Sequence, residues 1–254
     1  MDKKTILRNF SRSARLYDKY ADIQNRIALQ LIRQTDGKIF SNILELGCGT
    51  GNYTRLLKER FPKARVKALD ISEEMVEVAR EKLKDPRIEF LIADAEEPSI
   101  NDKFDLITSN ACFHWLNNPG EAIAGYRRML TPEGMISFTA FGPLTFAELD
   151  TVLSNLEGVN IPARSFMTKD KLEKILSENF REAKINEAEF IQTFKNLREL
   201  MERIKYTGIR GVSVLKRDIV TVQYLNRIED EYLKRFGGIQ VTYQVFFCSG
   251  INAS

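Results

Sequence analysis

The chain is poor in the residues from which metal centres and cross-links are built. It has one histidine, His114, and three cysteines, Cys48, Cys112 and Cys248, among 254 residues. The cysteines lie far apart and form no Cys-x-x-Cys pair. Neither a disulfide framework nor a metal site is expected, and a reducing, cytoplasmic setting is. Long apolar runs are missing too. No window approaches the ~20 residues that span a bilayer, and the amino-terminal MDKKTILRNFSRSARLYDKY is charged, without the apolar centre of a signal peptide. No membrane partner is expected. A strong charge of one sign is also absent: 38 Lys and Arg face 35 Asp and Glu, for a net +3. That balance gives no ground for a nucleic-acid partner. There is no Pro/Ser-rich linker, low-complexity tract or fixed-period repeat. With 43% hydrophobic and 29% charged residues, what remains is an ordinary globular chain, long enough to bury roughly 70–75% of its unfolded surface.

What is present is an alternation. SNILEL, ARVKALD, IEFLIAD, FDLITSN and GMISFTAF are short apolar runs, and TRLLKERF, SEEMVEVAREKLK and GEAIAGYRRML between them carry apolar residues at helical spacing. Strands alternating with helices predict a doubly wound, mostly parallel α/β sheet. Ser72 is placed to cap the helix after the second strand, with Glu73 and Glu74 in its first turn. Beyond Gly142 the helices lengthen, and two late strands, EAKINEAEFIQTF and VTYQVFFCSG, are separated by helices. They bring the sheet to seven strands and suggest an antiparallel pair closing its edge, the intervening helices forming a lid.

The ends of the strands carry the chemistry. ILELGCGTGNYTRLL runs a strand into Gly47, Gly49 and Gly51 and then a helix. Such glycines permit the tight turn and let a ligand lie against the backbone at the carboxyl edge of the sheet. The third glycine comes one position too early for a dinucleotide fingerprint. The second strand ends at Asp70, placed to accept from two ribose hydroxyls; the third ends at Asp94, placed to accept from an adenine amino group; the fourth ends at Ser109 and Asn110. Aspartates there often only cap the following helix. Four such ends in order describe one adenosine-like ligand laid across the switch point of an open sheet.

From Ile43 to Phe141 these motifs resemble the class I S-adenosylmethionine-dependent methyltransferases, with ELGCGTG as the first motif. The resemblance implies a Rossmann-like fold and S-adenosyl-L-methionine as cofactor. It places the loop of Gly47, Gly49 and Gly51 at the methionine part, Asp70 at the ribose, Asp94 and Ala95 at the adenine and Asn110 near the sulfonium, with Tyr17, Glu45, Ile71 and Met75 among the other cofactor-binding residues. NFSRSARLYDKYADIQ, SNACFHWL, FGPLTFAEL, ERIKYTG and VTYQVFF narrow it to the malonyl-acyl-carrier-protein O-methyltransferases of biotin biosynthesis. That family implies methylation of the free carboxylate of malonyl-acyl carrier protein or malonyl-CoA. The chain then reads as one domain, 1–254, with a helical cover at 1–35, a cofactor-binding core at 36–142, and 143–254 completing the sheet with a lid, chiefly 143–165 and 195–238. Methylation of a free small acid such as trans-aconitate, and cofactor binding without turnover, are the alternatives.

Four further residues are catalytic candidates. Phe10, Ala14, Tyr17 and Ala21 recur at helical spacing and form a stripe, with Arg12, Arg15 and Lys19 pointing elsewhere. The resemblance gives Tyr17 a place over the cofactor mouth. His114 is expected to be a polar wall more than a base, because a carboxylate with a solution pKa near 4 is already ionised at neutral pH. Cys48 is read as a small filler of the glycine loop. A cation is expected to hold the malonyl carboxylate: Lys205 is the candidate from a family segment, Arg198 from charge and placement. Lys195, Arg198, Arg203, Lys205, Arg210, Lys216 and Arg217 concentrate positive charge in the lid. Such a run is ordinarily a solvated helix face, with Glu199 and Glu202 available to pair with it. With the resemblance it becomes a rim on which an acidic carrier protein would dock.

Overall fold

Successive side chains on a strand point to opposite faces, so a strand covered on both sides is apolar throughout. In the computed structural model, which describes residues 2–157, 161–207 and 221–253, this is the condition of the central strands. The strands are β1 (Asn42–Leu46), β2 (Arg65–Asp70), β3 (Ile88–Ile92), β4 (Phe104–Ser109), β5 (Leu130–Phe141), β6 (Arg181–Phe194) and β7 (Ile239–Ile251). Their order is β3-β2-β1-β4-β5-β7-β6. β1 to β5 run parallel, and β7 lies antiparallel between β5 and β6. The chain winds outward from β1 to β3, then returns to add β4 on the other side. The switch point therefore falls between β1 and β4, where open α/β sheets bind ligands beyond the strands' carboxyl ends.

Alternate residues divide the core. Ile43, Val66, Ala68, Leu106 and Met135 belong to one apolar cluster, while Leu44, Leu69, Ile107 and Ile136 belong to another. The helices covering these faces are α1 (Lys3–Tyr20), α2 (Asp22–Arg33), α3 (Asn52–Arg60), α4 (Glu73–Lys82), α5 (Pro119–Met129), α6 (Ala147–Glu157), α7 (Lys169–Asn179), α8 (Leu197–Tyr206) and α9 (Val222–Phe236). α5 and α7 pack on the second cluster through Ala122, Ile123, Tyr126, Leu172 and Leu176. The other seven contribute to the first.

Ser72 does cap α4, its hydroxyl oxygen accepting from the Met75 N–H at 3.3 Å. Asp2 caps α1 in the same way, accepting from the N–H groups of Lys4 and Thr5. The expected stripe of α1 faces inward: Ala14 is buried, while Arg12, Arg15 and Lys19 are exposed. The amino-terminal cover is two helices, not one. The chain turns at Ala21, which is fully buried, and nothing in the local residue types marks the break.

Arg203 of α8 secures that corner. Its Nη1 donates to the Tyr20 carbonyl at 2.7 Å and to Asp22 Oδ2 at 2.5 Å. Its guanidinium lies 5.7 Å from the Tyr20 ring centre, and Tyr20 stacks on Tyr206 at 4.6 Å. With 13% of its side chain exposed, Arg203 joins α8 to the junction of α1 and α2 instead of standing in the rim. Lys195 and Arg198 are exposed, while Arg210, Lys216 and Arg217 lie outside the described residues.

Candidate active site

A cavity, partly open to solvent, lies across the carboxyl ends of β1, β2, β3 and β4 and beneath α1. Its two halves are built differently. In the half at β2 and β3 the polar groups are charged and partnered. Asp70 Oδ2 accepts from the Gly49 N–H and Oδ1 from the Ser72 N–H, both at 2.9 Å. Burial pushes this carboxyl above its ordinary range, and the N–H groups of Ser72 and Gly49 pull it back. Asp94 Oδ1 accepts from the Glu96 N–H at 2.9 Å, and Oδ2 pairs with Lys3 Nζ at 2.6 Å. Lys3 also pairs with Glu96. Burial works against its charge, but the two carboxylates more than compensate and hold its ammonium above the usual lysine range.

The glycine loop forms the floor. Gly47 has φ +70°, and a Cβ there would lie 2.5 Å from Cys112 Sγ. Any side chain at Gly47 would both strain the backbone and drive into that thiol. Gly47 and Gly49 line the cavity; Gly51 does not. Gly51 sits at the start of α3 in the left-handed region, with Ala79 and Leu83 of the α4 region against it, so its role is to turn the chain and admit that packing.

The other half is aromatic and largely neutral. Tyr17, Gln24, Asn110, Ala111, Cys112, His114, Trp115, Phe141 and Thr207 line it. His114 lies in a short 3₁₀ turn, Phe113–Trp115, with ring centres of Trp115, Phe141 and Phe166 at 4.6, 4.7 and 4.9 Å. Burial drives its pKa down to about 3, so the imidazole is neutral at physiological pH. Burial, helped by the nearby Asp70 charge, keeps the Tyr17 phenol protonated. Burial also pushes the Cys112 thiol up to about 12 and the Cys48 thiol well above its ordinary value. Neither thiol is a nucleophile at neutral pH.

Of the residues expected from the sequence, Tyr17, Gly47, Gly49, Asp70, Ile71, Met75, Asp94, Ala95, Asn110 and His114 line this one cavity. Glu45 does not. It is 1% exposed, behind the floor on β1, and burial raises its carboxyl to about 8. Lys205 and Arg198 do not reach the cavity either. Lys205 Nζ lies 4.9 Å over the Tyr206 ring, and Arg198 is exposed on α8. Lys3 is the only basic residue among the described cavity-lining residues, and it lies at the opposite end. Among the lining residues missed from sequence are Lys3, Gln24, Phe141 and Thr207. Gln24 closes the quoted segment NFSRSARLYDKYADIQ, and Thr207 falls within ERIKYTG.

The Methyltransferase domain family matches residues 43–134, the span of the strand ends that build the cavity floor. Among solved structures, the YcgJ protein of Bacillus subtilis aligns over 90% of this chain and 99% of its own, with a TM-score of 0.63 and 17% identity, a likeness of fold. Fold and site together define a class I methyltransferase, the S-adenosylmethionine-dependent kind. The malonyl-[acyl-carrier protein] O-methyltransferase 1 of Ilyobacter polytropus is 36% identical over 239 residues, covering 93% of this chain and 89% of that protein. The Acetivibrio thermocellus malonyl-[acyl-carrier protein] O-methyltransferase is 32% identical over 263 residues, covering 97% and 93%. The chain belongs to the malonyl-[acyl-carrier protein] O-methyltransferase family.

Proposed function

We propose that this protein transfers a methyl group from S-adenosylmethionine to the free carboxylate of malonyl-acyl carrier protein, with malonyl-CoA as the alternative carrier form, at the start of biotin biosynthesis. The observation that supports it most is the polarity of this cavity. Its charged half suits an adenosine, and its neutral, aromatic half suits an acceptor that needs no base.

Asp70 keeps free lone pairs beside its two backbone bonds for ribose hydroxyls, Asp94 and the Ala95 backbone face the adenine position, and the left-handed Gly47, packed against Cys112, keeps the turn tight enough for a methionine chain to lie along its backbone. When bound, the cofactor supplies an electrophilic methyl on a sulfonium: an O–CH₃ bond forms, the S–CH₃ bond breaks with its electron pair passing to sulfur, and a methyl ester and S-adenosylhomocysteine result. The acceptor carboxylate is ionised at neutral pH, with an ordinary pKa of about 4, so the neutral His114 is not asked to remove a proton. Phe10, Trp115, Phe141 and the α1 cover exclude water. Exclusion favours this reaction in particular, because its opposite charges cancel as it proceeds and a less polar medium resists that less than water does.

Lys195, just before α8, and Arg198 in its first turn, both exposed, are the described members of the basic rim proposed to meet an acidic carrier. Reversing both to Glu should slow turnover of malonyl-acyl carrier protein more than that of malonyl-CoA, and added salt should narrow the gap. Equal effects on both substrates would remove the rim from carrier docking. The function itself is tested by offering malonyl-acyl carrier protein, malonyl-CoA and trans-aconitate side by side. Methylation of the free acid alone would make the acceptor assignment wrong.

A further inference from the structure

Two polar side chains line the acceptor half of the cavity, the buried Gln24 and the half-buried His114, each with one enclosed atom that has no partner among the described residues. Gln24, in the first turn of α2, is 7% exposed, and its Oε1 has no hydrogen-bond partner among the described residues. His114 Nδ1 is in the same condition. Both residues line the cavity. Buried polar atoms are ordinarily paired, and each exception calls for a reason. Looseness is not the reason here. The Gln24 main-chain carbonyl accepts from Asn110 Nδ2 at 3.0 Å, Asn110 Oδ1 accepts from the Thr139 hydroxyl at 3.2 Å, and that hydroxyl accepts from the Ala111 N–H at 2.8 Å. The start of α2 is thus tied to the end of β4, and Arg203 ties it to α8. His114 is wedged among Trp115, Phe141 and Phe166.

The charges around them argue for what they bind. Lys3 already pairs with Asp94 and Glu96 at the far end, no other described cavity-lining residue is a lysine or arginine, and His114 is neutral. A fixed cation at the acceptor would also work against the reaction. The carboxylate gives up its negative charge as the ester forms, so an ion pair would stabilise the reactant more than the transition state, and only the difference counts. Neutral donors orient the group and leave it reactive.

We propose that Gln24 and His114 form a neutral hydrogen-bonding clamp that receives the acceptor's carboxyl group, fixing specificity for a carboxylate without an ion pair. The proposal rests on the carboxyl-methylation reading above and names the residues that select its acceptor. The Gln24 carboxamide presents its N–H₂ after turning about its last bond, and the neutral imidazole presents its one N–H.

The test uses the full chain with malonyl-acyl carrier protein and malonyl-CoA. Steady-state kcat and KM, S-adenosylhomocysteine affinity by calorimetry and thermal unfolding are measured for each variant. Gln24→Leu and His114→Leu should each lower kcat/KM by roughly tenfold or more, with S-adenosylhomocysteine affinity within about twofold of wild type. His114→Gln, which restores a neutral donor, should recover to within about threefold. Gln24→Lys gives the sharpest readout: KM should fall and kcat should fall with it, the mark of a carboxylate held too well in its ground state. Unchanged kcat/KM in both Leu variants, losses matched in S-adenosylhomocysteine affinity, or a Gln24→Lys enzyme with undiminished kcat would overturn the clamp. A wild-type protein that binds S-adenosylhomocysteine yet methylates no carboxylate would overturn the functional reading and the clamp with it; unaffected variants of an active enzyme overturn the clamp alone.

Discussion

The two halves of the cavity solve opposite problems with different materials. At the ends of β2 and β3, carboxylates are partnered by backbone N–H groups and by Lys3. Under the cover, the walls are rings, and polar atoms of Gln24 and His114 are left without partners. The first half must hold a large polar molecule firmly, and charge-assisted bonds do that. The second must strip water from a nucleophile without quenching it. Substitutions that act on one half only will show whether this division is real.

The largest effect should come from the floor that both halves share. Gly47→Ala forces a positive-φ alanine against Cys112 Sγ, and stability should fall by about 1–3 kcal/mol together with most of the cofactor affinity. Adding Cys112→Ala should return the part of that loss due to the clash and not the part due to the backbone. Thermal unfolding with calorimetry of both proteins separates the two. Next comes Asp70→Ala, which should weaken S-adenosylhomocysteine binding by about 1–3 kcal/mol and leave the acceptor KM little changed at saturating cofactor. An equal rise in both would mean that the halves are coupled more tightly than the geometry suggests.

Smaller, and confined to the cover, is the effect of Arg203→Ala. It removes the bonds to the Tyr20 carbonyl and Asp22, and should cost about 1 kcal/mol of stability and raise the acceptor KM more than the cofactor Kd. A variant with unaltered stability and KM would show that α8 is held by its apolar face alone. The last effect concerns pH and vanishes near neutrality. His114 titrates near pH 3 in the fold against an ordinary 6.5, so between these values the unfolded chain binds a proton that the native one does not, and stability declines as pH falls from about 6.5 towards 3. His114→Gln should flatten that part of the stability curve and change little above pH 7. An equal acid slope in both proteins would mean that His114 is protonated within the fold.

Legibility from sequence divided along the same line. β1 to β5 were readable because parallel strands buried on both faces are runs such as Ile43–Leu46 and Leu106–Ile107, and the cofactor end was readable because its residues sit where strands stop. Asp70, Asp94 and Asn110 are local features of a repeating unit. The acceptor end has no such unit. His114, Phe141 and Phe166 meet through tertiary packing, Lys3 reaches Asp94 across 91 residues, and no spacing rule joins them. The lid charges misled for a related reason. A row of basic residues on a helix does not say which one turns inward, and Arg203 does so, while Lys205 lies against Tyr206. Glu45 reads as a cofactor ligand from its place in ELGCGTG, yet its side chain is enclosed on β1, behind the glycine floor.

Mass spectrometry of malonyl-acyl carrier protein incubated with the full-length chain and S-adenosylmethionine tests the central claim most directly. A gain of one methyl group, removed by mild ester hydrolysis and absent when acetyl-acyl carrier protein replaces the malonyl form, is the result expected. An unmodified malonyl group, or a methyl that survives ester cleavage, would contradict it.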